Sequence, residues 1–481
     1  MKSIDGGRYS QDIEKAYQYA NETLLDLLFN KEKLMERLRS LKHYFFLDQS
    51  DFLVHFFDIA LEQLVRPAKE VPLDHVRSLL ELVLRNPASV SAVDPYKADV
   101  VADIGQISLV EQLLKINSVQ GIDIKKHMEE IRRRDRGGAY DPDASFMTVS
   151  EEAPRVGGMA GVASSSLLTG IDAFTLGYTV RFPVSLVINK KVLTKYQLLF
   201  RNLFHCKYVE RQLSAAWREQ GKARLYQRGG RFLRKKPSSI LSDRRNEEQE
   251  DPEVKRDALF VARLCALRGK MLHFVQEFMY YVCYEVLEPS WEGLEKELPK
   301  VKTVDEVLKT HNDFLDTCLK ECMLTNPALI KLFSHLMTTC TNFCTFSNNY
   351  IRHKTPPSRS YTTAASLHSD FGVPIGLTHA EHPSAPPLYP SSSSSKAFDP
   401  ARTEKHMRRF EMEFVQGMRK LIDGLQYYGA TETPRLADLL SRMDYNMFYA
   451  RLPPDLSVVA SVPVGDARGG VERKQAWGAG M

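Results

Sequence analysis

The cysteines at positions 318 and 322, and again at 340 and 344, are the residue pairs whose spacing could hold a metal. Three intervening residues place both thiols of a pair on one helix face, so four thiolates could in principle meet around zinc. Both pairs, however, fall on or beside apolar stripes, where free cysteine behaves as a small buried hydrophobe. They read as core thiols. His311 shares a stripe with Cys318 and Cys322 and reads as a hydrogen-bonded core imidazole. The run Gly157-Gly158-Met159-Ala160-Gly161 is rich enough in glycine to suggest a phosphate loop. It lacks the Lys and Ser/Thr in fixed order and links no strand to a helix. No nucleophile elbow, no His-Glu-x-x-His and no ordered Ser, His and Asp set is present. The sequence therefore predicts no catalytic residue, no cofactor and no metal: a binding protein, not an enzyme.

Three basic clusters remain, Arg132–Arg134, Arg224–Lys236 and Arg402–Arg409. They read as solvated flanks of loops, with attraction to an acidic protein surface or a phosphate backbone as the functional alternative. The net charge of +5 is mild for 481 residues, and no nucleic-acid partner is predicted. Seven cysteines in so long a chain make no pairwise framework and suit reduced thiols. No apolar run reaches the roughly 18 residues that span a bilayer. The longest, Phe260 to Val286, is broken by Arg263, Arg268, Lys270, Glu277 and Glu285. No membrane partner is expected from it.

The elements that must carry these residues are helical. Ile13, Tyr17, Ala20, Leu24, Leu27, Leu34, Leu38 and Leu41 recur at helical steps and predict one long helix. Phe52, Phe56 and Ile59 predict another, and Leu79, Leu82 and Val83 a third, ended by Asn86-Pro87. Val304, Leu308, His311, Leu315, Cys318 and Cys322 predict a helix opened by a Thr303/Glu306 capping box. Asn326-Pro327 opens the next, with Leu329, Phe333, Leu336, Cys340 and Phe343 on one face. Phe410, Phe414, Leu421 and Leu425 mark a last stripe. The only alternating stretch is Thr179–Ile188, and Pro183 interrupts it. The fold class predicted is all-α, a multi-helix bundle. Residues 134–168, 220–253, 355–402 and 453–481 lack the apolar material to offset their ordering and are expected as mobile loops or tail.

Five segments carry a family resemblance. Phe174–Phe204 reads FTLGYTVRFPVSLVINKKVLTKYQLLFRNLF, an apolar lead-in stopped by Pro183 and then a helix. It resembles the gamma-tubulin complex component family, in which a Tyr-x-Val-x-aromatic-Pro motif precedes a long helix. Leu41–Gln49, Leu267–Trp291, His311–Leu324 and Met443–Tyr449 resemble further landmarks of the family, in the same order. The resemblance spans roughly residues 1–450. It implies a helical domain, residues 41–452, that grips one gamma-tubulin, with residues 1–40 as the last helix of the family's N-terminal domain and 453–481 as a tail without counterpart. It also implies assembly with the related component 3, a scaffold for microtubule nucleation, and a place in the cytoplasm at microtubule organising centres such as a centrosome or spindle pole. A chain starting so late in the family pattern is expected to hold gamma-tubulin yet assemble poorly into rings. Tyr178, Phe182, Pro183, Tyr196 and Phe200 are expected in the domain core. Arg181, Asn189, Lys190, Lys191, Asp444 and Asn446 are the expected gamma-tubulin contacts. A generic helical adaptor or tether for an acidic protein or membrane surface is the alternative.

Overall fold

The computed structural model describes residues 6–119, 168–234, 252–354 and 400–451. These residues fold as an all-α bundle with one two-stranded ribbon. The helices are α1 (Gly6–Asp26), α2 (Leu34–Phe45), α3 (Asp51–Leu64), α4 (Leu73–Leu84) and α5 (Leu109–Val119). After them come the short α6 (Gly170–Ala173), α7 (Lys190–Arg234), α8 (Pro252–Tyr280) and α9 (Glu288–Glu297). Then come α10 (Val304–Glu321), α11 (Pro327–Lys354), α12 (Pro400–Thr431) and α13 (Leu436–Met443). The ribbon pairs β1 (Val100–Ile104) antiparallel with β2 (Phe174–Tyr178), Val100 facing Tyr178 and Ile104 facing Phe174.

The long α7 runs through the centre, packed on α8, α10 and α11. Its Tyr196, Leu199, Phe200, Leu203 and Phe204 are fully buried. Their rings mesh with those of the preceding elements. Phe45 meets Tyr196 at 5.8 Å and Phe200 at 6.0 Å, while Phe174 meets Phe204 at 4.8 Å and Phe56 at 5.1 Å. Aromatic pairs at these separations contribute about 0.5–1.5 kcal/mol each beyond the area they bury. Arg201 ties the periphery to this centre. Its Nη1 donates to Gln112 Oε1 at 2.6 Å, and its Nη2 donates to the carbonyls of Ile107 and Asp172 at 2.7 and 2.6 Å.

The two predicted helix starts are built as the sequence suggests. Thr303 accepts from the Glu306 amide while the Glu306 carboxylate accepts from the Thr303 amide, closing the capping box on α10. Asn326 Oδ1 accepts from the amides of Ala328 and Leu329 at the start of α11.

Four expectations need correction. The first stripe is two helices, not one: a π-helical turn, Leu27–Lys31, and left-handed Lys33 (φ 52°) part α1 from α2. Ile13 and Tyr17 lie exposed, because most of α1 projects beyond the helices it touches. The alternating stretch Thr179–Ile188 is a turn, and the strand is the segment before it, where β1 supplies its hydrogen-bonding partner. Helix α7 continues to Arg234, through charged residues expected as loop; straight-chain Arg, Lys and Gln are good helix formers. Helix α12 starts at Pro400, with Ala401 and Arg402 inside it. Of the remaining predicted loops, 134–167, 235–251, 355–399 and the tail 453–481 lie outside the described residues.

His311, on α10, is fully buried, with Nε2 2.9 Å from the Tyr196 hydroxyl and Nδ1 without a partner. Burial, with Lys195 adding to it, lowers its pKa to about 4. Unfolded, the group titrates near 6.5. Between these values the unfolded state binds more protons, so this contribution is complete above about pH 6.5 and is lost as the pH falls toward 4. It corresponds to about 3 kcal/mol. In urea titrations, the stability lost between pH 6.5 and 4 is expected to be smaller in His311→Leu than in the unmodified chain. Equal losses would show that His311 does not drive the acid sensitivity.

Candidate functional site

Within the central landmark Leu267–Trp291, the run Phe278–Tyr284 is apolar on every side, so periodicity alone does not say which of its residues face water. The structure does. α8 passes through a π-helical turn, Tyr281–Leu287, into α9. Such a turn inserts a residue and shifts the phase of the helix beyond it. Tyr281 and Val282 are buried, whereas Tyr280 faces out and Tyr284 is 65% exposed. The Tyr280 and Tyr284 rings lie 5.0 Å apart.

The closing landmark packs onto this same side. From α13, the Arg442 guanidinium sits 4.3 Å from the Tyr280 ring centroid, and its Nε donates to Glu285 Oε1 at 2.6 Å. The turn after α13 is tied by Asp444, whose carboxylate accepts from the amides of Tyr449 and Ala450 at 3.1 and 3.0 Å. Met447 sits in the left-handed region (φ 52°), which costs a non-glycine residue roughly 1–2 kcal/mol. That strained turn buries Tyr449 but leaves Tyr445 87% exposed and Met447 and Phe448 facing solvent. Lys270 Nζ lies 5.4 Å from the Phe448 ring centroid. Two distant sequence segments thus build one surface of exposed aromatics edged by Arg442 and Lys270. Tyr, Phe, Met and Arg are the residues enriched at the centres of protein interfaces.

The other expected contacts lie elsewhere. Arg181, Lys190 and Lys191 are exposed and make no side-chain hydrogen bond or ion pair among the described residues. Asn189 is half-buried, and its Oδ1 accepts from the Val192 amide, capping α7. Asp444 likewise serves its own turn, which leaves Asn446 as the freely exposed polar residue of that pair. Tyr178, Pro183, Tyr196 and Phe200 are buried. Phe182 is not: it is 75% exposed, because the extended strand ends at Tyr178 and the turn that tucks Pro183 inward leaves Phe182 on its outer side. With Leu186 and the three cations it forms a second, basic surface. α7 and α8 run antiparallel, as Arg268 Nε donating to Gln220 and Gln276 Nε2 donating to Glu210 show. Tyr280 is therefore level with about residue 208, and at about 1.5 Å per residue Lys190 lies roughly 25 Å away along the helix. The six expected contacts form two groups, not one site.

Cys206, Cys318, Cys322, Cys340 and Cys344 are buried free thiols. Burial pushes Cys318 up to about 12 and Cys283 to about 11, so they stay protonated. Among the described residues no group of three or more His, Cys, Asp or Glu could hold a metal, and no helix is long and apolar enough to cross a membrane. In the Arg402–Arg409 cluster, Arg408 pairs with Glu404 and Arg409 with Glu413. Arg132–Arg134 and Gly157–Gly161 lie outside the described residues, as do the side chains of Arg224–Lys236.

Residues 34–449 match the family described as gamma tubulin complex component C-terminal. Among curated proteins, the chain is similar to gamma-tubulin complex component 2 of Mus musculus, 32% identical over 457 residues, covering 94% of this chain and 44% of that protein. It is 32% identical over 447 residues to spindle pole body component alp4 of Schizosaccharomyces pombe, covering 92% of this chain and 50% of that protein. Gamma-tubulin complex component 3 of Homo sapiens is more distant, 23% identical over 65% of this chain and 26% of its own length. The chain spans about half the length of the first two relatives.

Replacing Met447 by glycine removes the left-handed strain, offset by the roughly 0.5–1 kcal/mol of extra chain entropy that glycine loses. The Met447→Gly variant is expected to unfold in denaturant at the same midpoint as the unmodified chain or slightly higher. A marked drop would mean that the Met447 side chain stabilises the fold rather than being held out for a partner.

Proposed function

The chain belongs to the gamma-tubulin complex component family, and on that premise we propose that it holds gamma-tubulin and serves as a scaffold subunit in microtubule nucleation. The observation that carries this reading is the meeting of two family landmarks, the central helix and the closing turn, in one exposed aromatic surface. A surface of this kind gains affinity by desolvating Tyr280, Tyr284, Met447 and Phe448 against a complementary partner. The basic surface around Arg181, Lys190 and Lys191 adds attraction to an acidic partner face, which raises the rate of encounter more than the final affinity. At roughly 25 Å apart, both surfaces lie within reach of one globular partner, since a small domain is about 30 Å across.

The role is mechanical. The protein positions its partner and transforms nothing, and any nucleotide chemistry belongs to gamma-tubulin. Its partners, in this reading, are gamma-tubulin and other members of the family, component 3 among them. Its place is the cytoplasmic microtubule organising centre, the centrosome or spindle pole. The similarity to gamma-tubulin complex component 2 and to a spindle pole body component supports that setting.

Gel filtration with purified gamma-tubulin tests the reading. The unmodified chain is expected to co-elute with it. The triple variant Tyr280→Ala, Tyr284→Ala and Phe448→Ala is expected to lose capture, since central aromatic anchors cost about 2 kcal/mol or more each on truncation. Unchanged capture, with unchanged helicity by circular dichroism, would remove the aromatic surface from the account. Reversing charge at Arg181, Lys190 and Lys191 is expected to slow association at low salt and have little effect at high salt. An association rate equal to that of the unmodified chain at low salt would exclude steering by that surface. Binding to liposomes without any co-elution would favour a lipid-surface adaptor instead.

A further inference from the structure

A cavity of ≈ 270 Å³, with Arg201 in its wall, opens between α5, α7, α11 and the end of α10. Most of its wall is apolar, from Leu113 on α5, Phe278 on α8 and Ile330 on α11, all buried. One end is polar. Asn202 faces that end, only 5% exposed, and its side-chain amide has no hydrogen-bond partner among the described residues. Beside it, His205 Nε2 lies 3.8 Å from Asp172 Oδ1. The buried Nε of Arg201 is also without a partner.

A buried donor left unpaired costs about 1–3 kcal/mol, so the orphaned Arg201 Nε beside Asn202 needs a reason. A second unusual feature borders the same cavity. Met323, just past the end of α10, is held in the left-handed region (φ 64°) with its side chain in the cavity wall. Glycine is the residue that usually takes this position after a helix. Strain of this kind gathers at sites that bind something.

The geometry points to a binding site for a small uncharged molecule with an apolar body and one hydroxyl or amide head, the head on Asn202 and the body against Phe278, Leu113 and Ile330. The charges at the polar end favour a neutral ligand: the Arg201 guanidinium and the Asp172 carboxylate offset one another. Burial lowers the pKa of His205, which keeps its ring neutral as a further donor or acceptor. A cavity of about 150 Å³ takes benzene, so this one has room for about eleven non-hydrogen atoms. The site stands apart from both surface patches and does not depend on gamma-tubulin binding.

2-Naphthol has that size and a single hydroxyl, and naphthalene is the same body without it. Saturation-transfer NMR with the full chain is expected to show saturable 2-naphthol binding, accompanied by a rise in the unfolding midpoint. Asn202→Leu is expected to weaken 2-naphthol about tenfold, the worth of one hydrogen bond, while naphthalene binds as before. Val110→Trp, which puts a large ring into the cavity from its lining, is expected to abolish both. Absence of saturable binding up to the solubility limit would overturn the proposal. So would equal 2-naphthol affinity in folded Asn202→Leu. If Val110→Trp fails to fold, the Asn202→Leu comparison still decides.

Discussion

Everything in the domain depends on keeping α7 buried along the part of its length where rings converge. Tyr196, Phe200 and Phe204 present their rings to Phe45, Phe46, Phe57 and Phe174, which come from three separate stretches of chain. Burying each such side chain is worth about 1.5–3 kcal/mol, and the rings lock only if α2, α3 and β2 reach the same helix together. The ribbon is a consequence of that demand. β1 and β2 are short, but pairing them brings Phe174 to the lattice and places the chain for its turn into α7. Arg201 extends the constraint outward, since its three hydrogen bonds end on α5 and on the backbone around it.

The surface that could hold a partner grows from this frame. α8 lies antiparallel on α7, so its buried face is fixed and its outer face is free. Tyr280 and Tyr284, four residues apart, share that outer face. α13 adds the second edge through Arg442, which reaches Tyr280 and Glu285 together. Asp444 closes the strained turn that keeps Met447 and Phe448 in solvent. Strain in that turn is tolerable because α13 is itself anchored, with Leu436, Leu439 and Met443 buried.

Much of this was legible in the residues. The stripes on α10, α11 and α12, the capping box at Thr303 and the Asn326 cap arise from spacing and local hydrogen bonding alone. The strands were not legible, because Val100–Ile104 and Phe174–Tyr178 are short, lie far apart in sequence and have no clean alternation. The exposure of the basic residues near Pro183 was legible, since charge beside a motif is visible in sequence. Phe182 was misplaced: an aromatic residue in a motif looks like core until the end of the strand is known. Tyr280 and Tyr284 were missed for a related reason. They sit in the run Phe278–Tyr284, which is apolar on every side, so spacing alone does not tell their face from that of Tyr281.

Hydrogen exchange of the chain alone and with purified gamma-tubulin tests the central claim most directly. The account predicts slowed exchange on binding in two places far apart in sequence, residues 276–288 and 442–450, with weaker protection around 181–191. Protection confined to other elements, with those two segments exchanging as in the free chain, would contradict it.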